Sequence, residues 1–567
     1  MPSLPKTPEE LLKSDWPVFK PFYTDLEQRD LNAGNVDSWL KEWSDVSGCV
    51  FELKERLYVA KTCHAADEKI TGQFDHFMDA IYPEYLNAEQ KLKEKLLASK
   101  LMPKGYDIQM RNMKAEADLY REANVPLLSQ EQKMISEYEK IIGTQTVQWE
   151  GEERTITQLK PIYLELDRAK REKAWRLSME RQLMDRDALN ALWKRFLELR
   201  VKLAANAGKP DYRAYRWQFW LRFDYTPEDG KNFHKAIEKA VVPAATRIYE
   251  KRRKKLGVDT LRPWDLDVDP LGRKPLQPFK DVSELISKTS TIFHHVDPQL
   301  GEYFDTLIRE NLVDLENRKN KAPGAYCTGY TNIRKPFVFH NAVGIHDDVM
   351  TLLHESGHAF HVFEAGKLPY MEQLNYPMEF AEVASMSMEL LAAPYLKAEL
   401  GGFYEPAEYT RARIEHLESN ILFWPYMAVV DSFQHWVYEN PEKALDPANC
   451  DAAWSERFDR FMVGVDWSGF EDAKMTGWHR KLHIFEVPFY YIEYGLAQMA
   501  ATMVWRNALK DQAAAVANYR KALALGKTAT LQDLYKTAGA RLAFDAETLG
   551  ELVELCETQI GQLEAGS

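Results

Sequence analysis

Apolar residues recur every three or four positions through most of this chain, which is the period of an amphipathic helix. The pattern predicts helices over much of 37–140, 159–205 and 226–256, and again from 280 through Asn317. Residues 146–156 instead alternate apolar and polar side chains around Glu150-Gly151, which predicts a β-hairpin. Residues 259–279 hold four prolines, so we expect an irregular connection there. The pattern therefore predicts a mainly helical fold.

The length of the chain indicates more than one compact region. A chain of 567 residues exceeds what one hydrophobic core holds, since single cores stop growing at roughly 250–300 residues. We predict an N-terminal helical region at 1–205, which includes the hairpin, and a second domain at 206–567. The composition is that of an ordinary globular protein, with 45% hydrophobic residues.

Charge and hydropathy exclude several classes of partner. A net charge of −13 argues against nucleic acid as a general partner, because phosphate binding requires a basic surface. An aromatic and basic stretch at 206–227 is interpreted as core packing for the same reason. No apolar run approaches the roughly 20 residues of a membrane span, and the first residues carry no apolar signal segment. We therefore expect a cytoplasmic protein without membrane contact. The oligomeric state cannot be predicted.

The candidate chemistry lies in the sequence His354-Glu-Ser-Gly-His358. Two histidines four positions apart stand on one face of a helix, so both imidazoles can bind one ion, and Glu355 lies about 100° around the helix from His354. This is the HExxH pattern of zinc hydrolases, in which the glutamate acts as general base. The alternative is a surface helix with two unrelated histidines. Apolar residues such as Leu352, Leu353 and Phe360 favour a buried helix instead.

A catalytic zinc ion takes three protein ligands and keeps one position for water. Of the acids after His358, Glu364 faces away on the same helix. A turn at 366–377 should let the chain return as a second helix over 378–391. Small residues surround Glu382 there and permit a close helix approach, so we predict Glu382 as the third ligand and one Zn²⁺ per chain. Glu389, seven residues later on the same face, is a candidate hydrogen-bond acceptor for a ligand histidine.

Two β-rich segments, 323–332 and 335–341, precede the HExxH sequence and are bounded by glycine and proline. They predict a small sheet beside the metal helix. An exposed strand of that sheet would pair with an extended peptide through main-chain hydrogen bonds. A purely structural hairpin is the alternative.

The sequence resembles the oligoendopeptidase F branch of the thimet oligopeptidase family of zinc peptidases. The likeness covers the region from about Gln145 to the C terminus. It is carried by the following segments: His354-Glu-Ser-Gly-His-Ala-Phe-His361, Phe380-Ala-Glu-Val-Ala-Ser-Met-Ser-Met-Glu389, Leu203-Ala-Ala-Asn-Ala-Gly-Lys-Pro-Asp-Tyr212, Pro323-Gly-Ala-Tyr-Cys327, Phe433-Gln-His-Trp-Val-Tyr438 and His483-Ile-Phe-Glu-Val-Pro-Phe-Tyr-Tyr-Ile-Glu-Tyr-Gly495.

The resemblance implies two helical halves around a deep substrate channel and hydrolysis of internal bonds in short unstructured peptides. It also implies that a late His/Tyr segment donates hydrogen bonds to the developing oxyanion, and we favour His483, Tyr491 and Tyr494 over Tyr490. In thimet-type relatives this segment is glycine-rich, whereas residues 486–489 here are Glu-Val-Pro-Phe. The identity of the donating tyrosine therefore stays open.

The sequence allows two alternative functions. A zinc peptidase that removes dipeptides from a free C terminus would require a cationic clamp, for which Arg480 or Lys481 is available. A non-catalytic helical peptide-binding protein is disfavoured by Glu355, because a structural zinc site needs no adjacent base and is normally closed by four protein ligands.

Overall fold

The computed structural model describes residues 3–566. It is 69% helical with two small sheets, which confirms the predicted fold class. No helix in this described range is long and apolar enough to cross a bilayer.

The helices of the first half of the chain are α1 Pro8–Leu11, α2 Trp16–Gln28, α3 Val36–Cys63, α4 Glu68–His76, α5 Tyr82–Ser99, α6 Asp107–Leu119, α7 Val125–Gly143, α8 Lys160–Tyr163, α9 Arg168–Leu183, α10 Arg186–Asn206, α11 Tyr212–Phe219, α12 Pro227–Ala240 and α13 Val242–Leu256. The later helices are α14 Val282–Val296, α15 Pro298–Arg309, α16 His346–Ala365, α17 Met371–Leu374, α18 Met378–Ala392, α19 Pro406–Glu439, α20 Pro441–Ala444, α21 Pro447–Phe461, α22 Glu471–Met475, α23 Leu482–Phe485, α24 Ile492–Ala508, α25 Gln512–Leu523, α26 Leu531–Thr537 and α27 Ala546–Ala565. Short 3₁₀ or π turns occupy Phe77–Ile81, Glu122–Asn124, Thr157–Leu159, Pro263–Asp265, Ala393–Leu396, Ala398–Leu400 and Gly477–Arg480.

The predicted hairpin is present as β1 Thr146–Trp149 and β2 Glu152–Thr155, paired antiparallel. Glu150 and Gly151 both have positive φ, at 52° and 89°. A two-residue hairpin turn of this kind requires positive φ at both positions, which is why the local sequence was sufficient to predict it.

The second sheet contains β3 Val313–Glu316, β4 Tyr326–Tyr330 and β5 Lys335–Ala342, in the order β3-β5-β4. Strand β5 pairs antiparallel with β4 and parallel with β3. The prediction of helix through Asn317 is wrong at β3, because this four-residue strand forms by pairing with β5, a partner more than twenty residues away.

The chain forms two compact units, each made of three segments. The first unit comprises 1–117, 276–412 and 497–542, and the second comprises 118–275, 413–496 and 543–567. The predicted division at 205/206 stays a prediction, as does the substrate channel.

Within the first unit, α16 packs against β4 and β5 on one side and against α18 on another. Val349, Leu352, Leu353, Ala359 and Phe360 are fully buried, as expected for a core helix. The N terminus of α16 is fixed by Asp348, whose Oδ2 atom accepts hydrogen bonds from three successive backbone N–H groups at 2.8–2.9 Å. These contacts hold the start of α16 close to the end of β5.

Candidate active site

Helices α16 and α18 bring His354, His358 and Glu382 together. The Nε2 atoms of His354 and His358 lie 3.4 and 3.8 Å from Glu382 Oε2. The three ligand atoms all lie within 4.8 Å of one another. Within 3–566, no other group of three or more His, Cys, Asp or Glu side chains converges in this way. The arrangement joins one helical turn of α16 to a single carboxylate of α18.

Gly357 permits the close approach of the two helices. A Cβ atom at this position would lie 2.6 Å from both Ala384 O and Ser385 Cα, which is closer than atoms can pack. On α18, Ser385 Oγ donates to Glu382 Oε2 at 3.1 Å and Tyr519 of α25 donates to Ala384 O at 2.8 Å. The glycine of HExxH therefore sets the spacing that puts Glu382 in reach of both histidines.

Glu389 lies behind His354, as predicted for an orienting acceptor. His354 Nδ1 and Glu389 Oε1 are 2.7 Å apart, which leaves Nε2 facing Glu382 and His358. Such a bond fixes the tautomer and the ring orientation of a ligand histidine.

The surroundings shift the pKa values of His354, His358 and Glu355 in different directions. Burial opposes a charge on His354, but hydrogen bonds and charge from Glu382 and Glu389 outweigh it and hold the pKa of His354 well above its usual value. Burial lowers the pKa of His358 to about 4 although Glu382 opposes the shift. Burial raises the pKa of Glu355 to about 7, with His354 opposing and the neighbouring carboxylates adding to the rise. A carboxylate with a pKa near neutrality is suited to act as a general base.

The donor set fits a divalent cation. Two imidazole nitrogens and one carboxylate oxygen are the ligands of a catalytic zinc site, and such a site keeps a further position open. The pKa of Glu382 is held below its usual value because its hydrogen bond to His354 and the nearby histidines outweigh burial. The concentration of carboxylates around the two rings favours a cation of charge +2.

The other acids and histidines of α16 have different contacts. Glu364 binds Lys367 at 2.5 Å and Arg520 at 2.9 Å, so it is a structural ion-pair partner. His361 is fully buried and stacks on Tyr376 with ring centroids 3.4 Å apart. His346, at the start of the helix, lies with Nδ1 2.6 Å from Tyr404 Oη. None of these side chains belongs to the convergent group.

His483, Tyr491 and Tyr494 lie in the second unit, where they form a compact aromatic group, the His/Tyr cluster. The ring centroid of His483 lies 4.8 Å from that of Tyr491 and 5.9 Å from that of Tyr494. The ring centroid of Tyr490 lies slightly further away, 6.1 Å from that of His483. Burial, followed by the charge of Lys481, lowers the pKa of His483 to about 3, so its imidazole is neutral and carries one N–H donor.

Two arginines hold α23 and the irregular segment that joins it to α24. Arg200 is fully buried and donates to Ile484 O at 2.9 Å and to Phe485 O. Arg222 donates to Phe489 O and to Glu493 Oε1, both at 2.6 Å. These bonds satisfy backbone carbonyls at the end of α23 and in the irregular segment after it, where the chain makes no regular helical bonds.

Phe489 adopts a left-handed conformation, with φ at 63°. Its N–H donates to Gln434 Oε1 at 2.8 Å, and its fully buried ring packs against Trp217, His435 and Tyr438. A non-glycine residue in this region is strained and persists only where its surroundings determine it. The left-handed conformation of Phe489 is thus held by defined contacts.

Sequence reasoning missed the supporting role of Arg200, Arg222 and Gln434. The stretch 206–227 was interpreted as core packing, and it does pack, but Arg222 also holds Phe489. A buried arginine among aromatic residues was the available signal. Arg480, one of the two candidate cationic clamps, donates to Ala473 O at 2.7 Å.

The fold is mainly helical, and the three-residue group on α16 and α18 has the HExxH arrangement of a candidate metal site. Residues 164–554, more than half of the chain, match peptidase family M3, and the chain belongs to that family. Membership implies a metal ion, and the three-ligand group is the site that fits one.

Two curated relatives are oligopeptidases, and the first carries the name that the sequence resemblance predicted. The chromosomal oligoendopeptidase F of Lactococcus lactis subsp. cremoris is 23% identical over 324 residues, which are 57% of this chain and 52% of the relative. Oligopeptidase PepF of Bacillus subtilis (strain 168) is 22% identical over 280 residues, which are 47% and 39% of the two chains. The chain thus spans about half the length, or less, of these relatives. The predicted resemblance to oligoendopeptidase F is confirmed.

A solved structure extends the likeness to almost the whole chain. Pz peptidase A with inhibitor 2 is 28% identical in sequence and superimposes with a TM-score of 0.86, covering 98% of each chain. The first hundred residues, which carried no diagnostic motif, therefore share the fold as well.

Proposed function

We propose that this protein is a zinc-dependent endopeptidase that hydrolyses internal bonds of short unstructured peptides. The observation that supports it best is the convergence of His354, His358 and Glu382 beside the buried Glu355, in a member of peptidase family M3. The cytoplasmic location stays a prediction from the sequence.

The metal site would use His354, His358 and Glu382 as ligands for one ion. These residues would hold Zn²⁺, which would act there as a Lewis acid and lower the pKa of a water molecule to about 7. Glu389 keeps the His354 ring oriented, and Ser385 does the same for the Glu382 carboxylate.

Glu355 acts as the general base and then as the general acid. Its carboxylate accepts a proton from the water that attacks the scissile carbonyl carbon, and it later donates that proton to the leaving amine. A pKa raised to about 7 supports both steps, since proton transfer is most efficient when the pKa of the group is near the working pH.

His483, Tyr491 and Tyr494 donate hydrogen bonds to the carbonyl oxygen as it gains negative charge. A neutral imidazole N–H and a phenol O–H are suitable donors, and removal of one such donor typically lowers the rate by about 10²–10³-fold.

The substrate main chain pairs with β4, which lies at an edge of its sheet beside α16.

Digestion of a mixed peptide library by the zinc-reconstituted protein, with and without chelator, tests this function. Mass spectrometry should detect internal cuts that chelator abolishes, and amidation of the C terminus should not change them. Release of C-terminal dipeptides from free-acid peptides only would favour the dipeptidyl carboxypeptidase alternative.

Substitution of Glu355 tests the chemistry itself. Glu355→Gln should keep the metal but lose activity by about 10³-fold or more, whereas His358→Ala should lose both. Asp347→Asn, at an exposed position of the same helix, is the matched control. Normal turnover by metal-replete Glu355→Gln protein would contradict the assignment.

A further inference from the structure

Lys481 contacts the hydroxyl group of Tyr491 inside the His/Tyr cluster. Its Nζ atom lies 2.8 Å from Tyr491 Oη, 4.0 Å from the centroid of the Tyr491 ring and 5.4 Å from that of Tyr426. Tyr491 is only 6% exposed, so the contact is largely shielded from water. Hydrogen bonds that involve a charged donor are about twice as strong as neutral ones, and burial strengthens them further.

The chemistry of the two groups determines the direction of this bond. A protonated lysine has three donors and no acceptor, so Tyr491 Oη must be the acceptor. The hydroxyl proton of Tyr491 then cannot point at Lys481 and is directed towards another acceptor. The contact therefore excludes the rotamer in which the phenol donates to Lys481 and leaves its proton available to another acceptor.

We propose that Lys481 is a positioning residue for peptide-bond hydrolysis, because its ammonium group fixes the Tyr491 hydroxyl as a donor to the carbonyl oxygen of the scissile bond. This inference rests on the proposed function, in which Tyr491 stabilises the oxyanion. Lys481 itself does not touch the reacting atoms. A donor oriented before the substrate binds needs no reorganisation during the reaction, which is the basis of electrostatic stabilisation.

The proposal requires Lys481 to be protonated. Burial lowers its pKa to about 8. The titratable groups that face it are Tyr491, Tyr426 and the neutral His483. A neutral amine carries a lone pair, which would accept the Tyr491 proton and turn the hydroxyl away from the substrate. The turnover number kcat should therefore fall as the pH rises through about 8.

The competing role for Lys481 is a clamp for the terminal carboxylate of the substrate. The two roles differ in the kinetic constant that they affect. A clamp contributes to binding, so its loss raises KM for free-acid peptides and leaves amidated peptides unchanged. A positioning residue acts in the transition state, so its loss lowers kcat for both kinds of peptide.

The experiment measures kcat, KM and zinc content for Lys481→Met, Lys481→Arg, Tyr491→Phe and the Lys481→Met/Tyr491→Phe double variant, with free-acid and amidated forms of one peptide. Lys474→Met is the matched control, since Lys474 is similarly buried but pairs with Asp459 at 2.7 Å. A melting temperature for each variant detects a failure to fold.

We expect Lys481→Met to lower kcat by about 10–100-fold, the usual worth of a hydrogen bond to a charged group, with KM and zinc content unchanged. In the Tyr491→Phe background the same change should alter kcat less than about 2-fold, because the hydroxyl is already missing. Lys481→Arg should restore most of the activity and lack the decline near pH 8, since a guanidinium stays protonated.

Three results would overturn the inference. A normal kcat in Lys481→Met beside a large loss in Tyr491→Phe would leave the proposed function intact but remove the role of Lys481. A rise in KM confined to free-acid peptides would assign Lys481 as a clamp. Full activity in Tyr491→Phe would show that the hydroxyl is not a donor and would end the inference together with that part of the mechanism.

Discussion

The candidate metal-ligand group, His354, His358 and Glu382, and the His/Tyr cluster are supported in different ways. His354, His358 and Glu382 stand on the regular helices α16 and α18, whose backbone hydrogen bonds are internal. His483 and Tyr491 stand on a short helix and an irregular segment, and this segment depends on Arg200, Arg222 and Gln434 for its backbone partners.

This difference predicts how each region fails. Damage at the metal group should appear as lost metal, because spacing between two helices sets the ligand positions. Damage at the supports of the irregular segment should appear as lost turnover with the metal retained. Metal content and kcat, measured on the same samples, therefore distinguish the two regions.

The largest effect is expected for Glu382→Gln. The amide replaces the one anionic ligand, so metal affinity and activity should each fall by more than about 10³-fold, well beyond the roughly 10–100-fold typical of outer-shell changes. Isothermal titration with Zn²⁺ and peptide hydrolysis measure the two quantities. Glu399→Gln, at an exposed position after α18, should leave both unchanged. Retained zinc binding in Glu382→Gln would reject this ligand.

A smaller effect is expected for Gly357→Ala. The added Cβ would meet Ala384 O and Ser385 Cα at 2.6 Å, so α16 and α18 must separate. We expect a loss of about 1–3 kcal/mol in the free energy of unfolding, as for other overpacked cores, together with weaker zinc binding. Gly72→Ala in α4 is the control, since its Cβ has no neighbour within 4 Å. Equal zinc affinity in both variants would show that helix spacing does not set the ligand geometry.

The smallest effect is expected for Arg222→Lys, which tests the other region. Lysine keeps the charge beside Glu493 but lacks the rigid planar fork of arginine. We expect kcat to fall about 10-fold, the equivalent of roughly one hydrogen bond, with zinc content and KM unchanged. Arg247→Lys is the control, because Arg247 forms an exposed pair with Glu557. Zinc loss in Arg222→Lys would contradict the independence of the two regions.

Features that depend on neighbouring residues in the chain could be predicted, and features that depend on residues far apart in the chain could not. The helical period alone predicts that His354 and His358 share one face with Glu355 beside them. The small residues on the next helix predict Glu382 as their partner. The hairpin at Glu150-Gly151 was predicted because its turn chemistry is local. Strand β3 was missed because the alternation in Val-Asp-Leu-Glu is only four residues long and the strand depends on pairing with β5, far along the chain.

The amino-acid sequence by itself determined the helical fold class, the face shared by two histidines and the presence of a base beside them. These features depend on a period of 3.6 residues and on side-chain chemistry, which are local. The tertiary structure alone decided that Gly357 is the contact point of two helices, that Arg222 holds Phe489, and that Lys481 donates to Tyr491. Those contacts join residues from different elements, and their distances follow from how the elements pack.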